Sequence, residues 1–128
     1  MDIYHLEYID ITNEELAALR IALNSDYTGI GLSEMLHRTV SGQVQIWRIG
    51  GLILLTQIDK YPNGQELWII TVAGKFPARI RTLAKDVERL AKSLNCKWVS
   101  GTTNGKFSRL YEMLGAKQVN IIYRKELQ

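Results

Sequence analysis

The residues best placed for chemistry lie where a predicted strand, Glu66–Ala73, runs through the turn Gly74–Ala78 into a predicted helix. The first turn of a helix presents free backbone N–H groups and the positive end of the helix dipole, which together suit a phosphate or pyrophosphate. Lys75, Arg79 and Arg81 add positive charge here. The segment is compatible with a phosphate site, although taken alone it favours a plain turn flanked by solvated bases.

Other kinds of catalytic or metal centre find little support. The sequence has no Gly-x-Ser-x-Gly motif, and His5 and His37 lie far apart without a nucleophile motif beside either. The single cysteine, Cys96, excludes an internal disulfide and a cysteine-based metal cluster. Because the two histidines and the scattered carboxylates show no metal-ligand spacing, we expect no structural metal.

A second segment, residues 104–116, reads Asn-Gly-Lys-Phe-Ser-Arg-Leu-Tyr-Glu-Met-Leu-Gly-Ala. It resembles the GNAT acyltransferase superfamily, whose members often carry Asn, then Ala three residues later, then Leu-Tyr-Glu-x-Leu-Gly-Phe. Phe107 stands where the family has that Ala, and Ala116 where it has the final Phe. The matching residues are Asn104, Leu110, Tyr111, Glu112, Leu114 and Gly115.

The resemblance implies a site for acetyl-coenzyme A (acetyl-CoA) between the fourth and fifth strands. The pantetheine arm would pair with the backbone of residues 70–74, and its pyrophosphate would meet the turn before the long helix. Two side chains depart from the family's glycine-rich turn, because Pro77 removes an N–H donor and Ile80 is bulky. The residues that the resemblance assigns to the cofactor are Val72, Gly74, Lys75, Ala78, Arg79 and Asn104.

The resemblance also assigns two catalytic roles. Tyr111 matches the tyrosine that protonates the departing thiolate, and a phenol with a pKa near 10 can donate that proton. Glu66, borne on the fourth strand, or a water would take a proton from the acceptor amine, and Asp59 is the second candidate among the acids. Tyr111 could instead be a core residue, Asn104 a helix cap, and the two acids exposed hairpin residues.

Charge is distributed unevenly along the 128 residues, whose formal net charge is +3. Residues 1–42 hold seven acidic and two basic residues, whereas residues 75–128 hold twelve basic and four acidic ones. Such polarity suggests that the C-terminal half faces a nucleic acid, a membrane surface or a phosphorylated cofactor, if it is more than solvated helix faces. Nucleic acid is not the expected partner, since no aromatic residues alternate with the bases.

The elements follow from hydrophobic periodicity and turn residues. A strand at 3–9 precedes a helix at 13–24 with a Thr12–Glu15 capping box, and a short helix capped by Ser33 follows. The order β-α-α-β-β-β-α-β-α-β predicts one mixed α/β domain over residues 1–128, which is also the GNAT order. The later elements are a hairpin at 44–49 and 52–58, strands at 66–72, 98–100 and 119–123, and helices at 77–94 and 104–114.

Two functions fit this sequence. The first is a GNAT N-acetyltransferase that moves acetyl from acetyl-CoA to an amine, on a small molecule or a protein, by direct attack. The second is a catalytically inactive GNAT-like phage virion or assembly protein with protein partners, because the length and the Lys/Arg-rich helix are similar to those of such proteins. No stretch is apolar enough to span a membrane and the acidic start lacks a signal peptide, so we expect a cytoplasmic or virion-associated protein.

Overall fold

A five-stranded mixed sheet forms the centre of the computed structural model, which describes residues 2–24, 30–75, 80–101, 108–117, 125 and 127. The strands run in the order β1-β2-β3-β4-β5; neighbouring strands are antiparallel except β4 and β5, which are parallel. The strands are β1 (Ile3–Leu6), β2 (Gln45–Ile49), β3 (Leu52–Tyr61), β4 (Gly64–Gly74) and β5 (Trp98–Gly101). The α-helices are α1 (Asn13–Asn24), α2 (Leu32–Val40), α3 (Ile80–Ser93) and α4 (Ser108–Met113).

This order confirms the predicted mixed α/β architecture over the described residues. The structure contains α1 and α3, which hydrophobic periodicity predicted, and the β2–β3 and β3–β4 hairpins, which the turn residues predicted. Asn95, which follows α3, has a φ of 60°, and this left-handed conformation ends the helix. The predicted last strand, 119–123, lies outside the described residues.

Two local predictions were wrong. The first strand ends at Leu6 rather than residue 9, because a 3-10 turn at Tyr8–Asp10 follows it and leaves Tyr8 and Ile9 53% and 78% exposed. Ser33 does not cap α2, because the N-cap position is occupied by Gly31, which has no side chain to form a capping hydrogen bond. Both errors arise where short polar segments fit more than one local conformation.

Each face of the sheet carries its own hydrophobic core. On one side, here called the α3 face, α3 and α4 pack over β4 residues Leu67, Ile69 and Val72. On the other side, the α1 face, α1 and α2 cover β4 residues Ile70 and Ala73. β4 is therefore covered by helices on both faces. No helix in the described part of the chain is long and apolar enough to cross a membrane.

The predicted capping box begins α1 and also attaches this helix to the sheet. The Glu15 amide donates to Thr12 Oγ1 at 3.1 Å, and the Thr12 amide donates to Glu15 Oε1 at 2.9 Å. Arg48 of β2 donates to both carboxylate oxygens of Glu15, from Nε at 2.7 Å and Nη2 at 2.6 Å. This bidentate ion pair lowers the pKa of Glu15, mainly through the hydrogen bonds from Arg48.

We expect Glu15→Gln to destabilise the protein at pH 7 by about 1 kcal/mol, allowing for solvent screening of a partly exposed pair. The folded-state pKa lies below the unfolded value of about 4.3, so the stabilisation is complete above that value and disappears as the pH falls through the folded-state pKa. Urea unfolding at pH 7 and pH 3 measures the difference. Glu14→Gln removes an equal charge from the same helix turn and is the control; an equal loss in both variants would contradict the role of Arg48.

Candidate functional site

The strands β4 and β5 pair over a short stretch and then separate. Their parallel pairing runs from Glu66 opposite Trp98 to Ile69 opposite Gly101, whereas β4 continues for five further residues to Gly74. Among the described residues, no strand pairs with the β5 side of β4 over residues 70–74. The backbone groups of residues 70–73 that point to this side could pair with an extended ligand, as a sheet edge pairs with another strand. We call this opening the β4–β5 gap.

A β-bulge lies where the two strands separate. In the ladder with β3, Thr71 pairs with Leu55 but Ile69 pairs with Thr56, so Ile70 is the additional residue on β4. An additional residue bends its strand and breaks the alternation of side chains. The consequence is visible in the core, since both Ile69 and Val72 lie on the α3 face although three positions separate them.

Tyr111 of α4 brings a phenol to the edge of this gap. Its ring packs against the core of the α3 face, and its hydroxyl lies against Gly101, the residue at which the pairing of β5 with β4 ends. Within the described residues we find no hydrogen-bond partner for this hydroxyl. Burial raises the pKa of Tyr111 above its ordinary value near 10, so the phenol stays protonated throughout the neutral range.

Glu66 lies on the α1 face of β4, beside its first pairing with β5. Its carboxylate accepts a hydrogen bond from Ser100 Oγ at 2.8 Å and a long one from the Tyr61 hydroxyl at 3.5 Å. Asp59 is directly opposite on β3. The negative charges of Glu66 and Asp59 raise the pKa of Tyr61, with Glu66 the larger contributor.

The structure does not bring Tyr111 and Glu66 into contact, because they lie on opposite faces of the sheet. Glu66 precedes Ile69, the β4 residue at the mouth of the gap, by three positions, or about 10 Å along a strand. The Tyr111 phenol therefore lies at the gap on the α3 face, whereas the Glu66 carboxylate lies on the α1 face beside the far end of the β4–β5 pairing.

The structure describes three of the residues assigned to cofactor binding. The Val72 side chain is buried in the core of the α3 face, so only its backbone could contact a ligand. Gly74 has a φ of 121°, and a Cβ there would lie 2.7 Å from the carbonyl oxygen of Gly51, so this glycine is required by the turn itself. Lys75 is exposed at the end of the gap. Ala78, Arg79 and Asn104 lie outside the described residues.

Gly101 is the residue of this site that the sequence did not single out. A Cβ at Gly101 would overlap the Tyr111 hydroxyl and would lie 2.9 Å from the carbonyl oxygen of Ile69. The segment Ser100-Gly101-Thr102 is an ordinary strand end in the sequence, and only the packing of α4 shows that the space is occupied. The described residues contain no group of histidine, cysteine and carboxylate side chains able to hold a metal ion.

The basic face predicted for α3 is exposed at Arg81, Lys85, Arg89 and Lys92. Arg89 forms an ion pair with Asp86, which is buried beneath it. One open cavity of about 370 Å³ lies beside this helix at the β1 side of the sheet, lined by Asp2, Ile3, Trp47, Arg89, Leu90 and Ser93. Since β1 and β5 are the two ends of the described sheet, this cavity is separate from the β4–β5 gap.

Comparison with known proteins was made by sequence and by structure. No protein-family profile matches the sequence, and no curated protein is significantly similar to it. Solved structures match the fold over nearly the whole chain. A ribosomal-protein-alanine N-acetyltransferase from Brucella melitensis is 14% identical with a TM-score of 0.68, and the match covers 99% of each chain.

Two further solved structures are similar over comparable lengths. An aminoglycoside acetyltransferase from an uncultured soil metagenomic sample is 16% identical with a TM-score of 0.65, covering 99% of this chain and 98% of that one. A probable acetyltransferase is 11% identical with a TM-score of 0.66, covering 100% and 97%. These comparisons do not show the expected likeness to phage proteins. The chain has the fold of the GNAT acetyltransferases.

Proposed function

We propose that the protein is an N-acetyltransferase that binds acetyl-CoA in the β4–β5 gap and transfers the acetyl group to an amine. The observation that carries the proposal is the position of the Tyr111 hydroxyl, which lies against Gly101 at the point where β4 and β5 separate and has no hydrogen-bond partner in the described residues. A phenol O–H without a protein partner at this point could donate a hydrogen bond to a ligand in the gap.

The described residues fit the acyl end of this cofactor. Some of the backbone N–H and C=O groups of residues 70–73 point toward the gap, where they could pair with the pantetheine arm, and the bulge at Ile70 bends the strand at this point. When bound, acetyl-CoA supplies an activated acyl group with a thiolate as leaving group. The protein then has to position this group and manage two protons.

Tyr111 acts on the leaving side. With acetyl-CoA bound, its phenol Oη–H would donate a hydrogen bond to the thioester sulfur and stabilise the negative charge that develops there. The pKa of a tyrosine, near 10, is already above that of an ordinary thiol, near 8.5, and burial raises the Tyr111 pKa further. Hydrogen bonding to the sulfur would therefore contribute more to stabilising the transition state than complete proton transfer. The same high pKa keeps the donor protonated across the physiological range.

Glu66 acts on the acceptor side. Its carboxylate takes a proton from the acceptor amine, directly or through a water, and Ser100 Oγ holds one of its two oxygens in place. Asp59, the cross-strand neighbour, adds negative charge that attracts a protonated amine to this face. The acceptor is an amine of a small molecule or of a protein.

Titration calorimetry with acetyl-CoA tests this proposal. We expect binding to the wild type and about 5- to 10-fold weaker binding to Lys75→Ala, since this exposed lysine lies at the phosphate end of the gap. Lys60→Ala is the matched control: Lys60 is also exposed but lies at the opposite end of the β3–β4 ladder. The absence of binding at millimolar acetyl-CoA would refute the enzyme and leave an inactive assembly protein as the alternative.

A further inference from the structure

The glycine at position 101 is unusual among the described glycines of this chain. Its backbone φ is outside the left-handed region, so the conformation of the chain does not require glycine. Gly31 and Gly51 share that property but have open space where a Cβ would be. Gly64 and Gly74 are crowded, but both have positive φ values, 152° and 121°. Space alone therefore explains the glycine at position 101.

The space at Gly101 is filled by the Tyr111 hydroxyl. A Cβ there would overlap this oxygen and lie 3.0 Å from Tyr111 Cζ. Alanine at 101 with a shorter apolar residue at 111 would fill the same volume without burying a hydroxyl. Packing alone does not require the pair that is present, since apolar atoms could fill this space without placing a hydroxyl that has no hydrogen-bond partner among the described residues against the sheet.

We propose that Gly101 is a positioning residue: by lacking a side chain it lets the Tyr111 hydroxyl reach the sheet at Ile69, where the β4–β5 gap opens. Gly101 thereby determines which atom of residue 111 faces the gap. With glycine, a phenol Oη–H stands at the mouth of the gap; with any side chain, the ring must move away from β5. The kinetic consequences rest on the proposed acetyl transfer, whereas the position of the phenol does not.

Three variants test the proposal: Gly101→Ala, Tyr111→Phe and the double variant. We expect Gly101→Ala to lower kcat about 10- to 100-fold with acetyl-CoA affinity unchanged, because a displacement near 1 Å impairs a transition-state contact. In the Tyr111→Phe background the same substitution should change kcat by less than about threefold. A glycine that only preserves strand packing would lower kcat by the same factor in both backgrounds, and that result would overturn the proposal.

A spectroscopic measurement decides the position of the phenol without any enzymatic assay. In protein labelled with [¹³Cζ]tyrosine, the Tyr111 resonance is assigned as the one that is missing from the spectrum of Tyr111→Phe. In the wild type it should titrate above the ordinary tyrosine range, and in Gly101→Ala it should shift and titrate closer to that range as the ring moves toward water. An unchanged resonance in Gly101→Ala would overturn the proposal even if the wild type is an active enzyme.

The two measurements also separate this proposal from the proposed function. If acetyl-CoA does not bind to the wild type, the function fails while the NMR titration still decides the role of Gly101. Should Gly101→Ala not fold, Gly101→Ala combined with Tyr111→Leu removes the ring and should restore folding. Failure of that double variant to fold would assign the glycine to the Ile69 carbonyl contact and overturn the proposal.

Discussion

Replacing Tyr111 with phenylalanine is expected to lower kcat for acetyl transfer by about 10²- to 10⁴-fold, while the affinity for acetyl-CoA stays within about twofold of the wild type. The substitution removes the donor to the leaving sulfur and keeps the ring that packs on the α3 face. A contact made only in the transition state appears in kcat and not in the dissociation constant. Single-turnover kinetics together with calorimetry measure the two quantities.

Stability provides the internal check on this variant. The Tyr111 hydroxyl has no hydrogen-bond partner among the described residues, so its removal should change the free energy of unfolding by less than about 1 kcal/mol. Tyr8→Phe, at an exposed tyrosine in the 3-10 turn, is the control for loss of a phenol. A kcat unchanged in Tyr111→Phe would remove this residue from the mechanism and leave it a packing residue.

The dependence on pH gives a second signature for Tyr111. Since burial raises its pKa, the phenol does not lose its proton as the pH rises through the ordinary tyrosine value near 10. The pH–rate profile of the wild type should therefore show no falling limb from Tyr111 below about pH 10. A limb in this range that disappears in Tyr111→Phe would contradict the burial of the hydroxyl.

Replacing Glu66 with glutamine is expected to lower kcat by about 10²-fold or more, again with little change in acetyl-CoA affinity. Glutamine keeps the length of the side chain and can still accept a hydrogen bond from Ser100 Oγ, but it cannot take a proton from the amine. The loss should be smaller toward high pH, where more of the acceptor amine is already deprotonated. Steady-state rates over pH 6–10 test this.

Asp59→Asn is the matched control for Glu66→Gln. Asp59 lies directly opposite on β3, and its carboxylate accepts a hydrogen bond from Gln57 Nε2 at 2.7 Å. If Glu66 is the base, Asp59→Asn should raise the KM for a cationic acceptor and change kcat little. If Asp59→Asn alone lowers kcat, the roles of the two acids are reversed, and if neither variant does, a water takes the proton.

Local periodicity was sufficient to predict most of the fold. The apolar spacing of α3, the capping box of α1 and the turn residues of the hairpins are properties of neighbouring residues, so each could be recognised before any tertiary contact was known. The first strand was overextended through Tyr8 and Ile9 because the same residues favour a strand and a capped 3-10 turn. The predicted cap at Ser33 was wrong for a similar reason, since the N-cap of α2 is Gly31.

Sequence alone also singled out Tyr111 and Glu66, one from the segment around residues 104–116 and one as the acid on the fourth strand. What it could not determine is their relation: the two lie on opposite faces of the sheet, Tyr111 where the β4–β5 gap opens and Glu66 at the other end of the β4–β5 pairing. Nor could it assign Gly74 to its contact with Gly51, or find Gly101 beneath the Tyr111 hydroxyl. These properties depend on strand register, on the bulge at Ile70 and on how α4 packs, which join residues far apart in the chain. A one-residue change of register exchanges the two faces of a strand, so only the folded sheet decides which side chain faces which side of the gap.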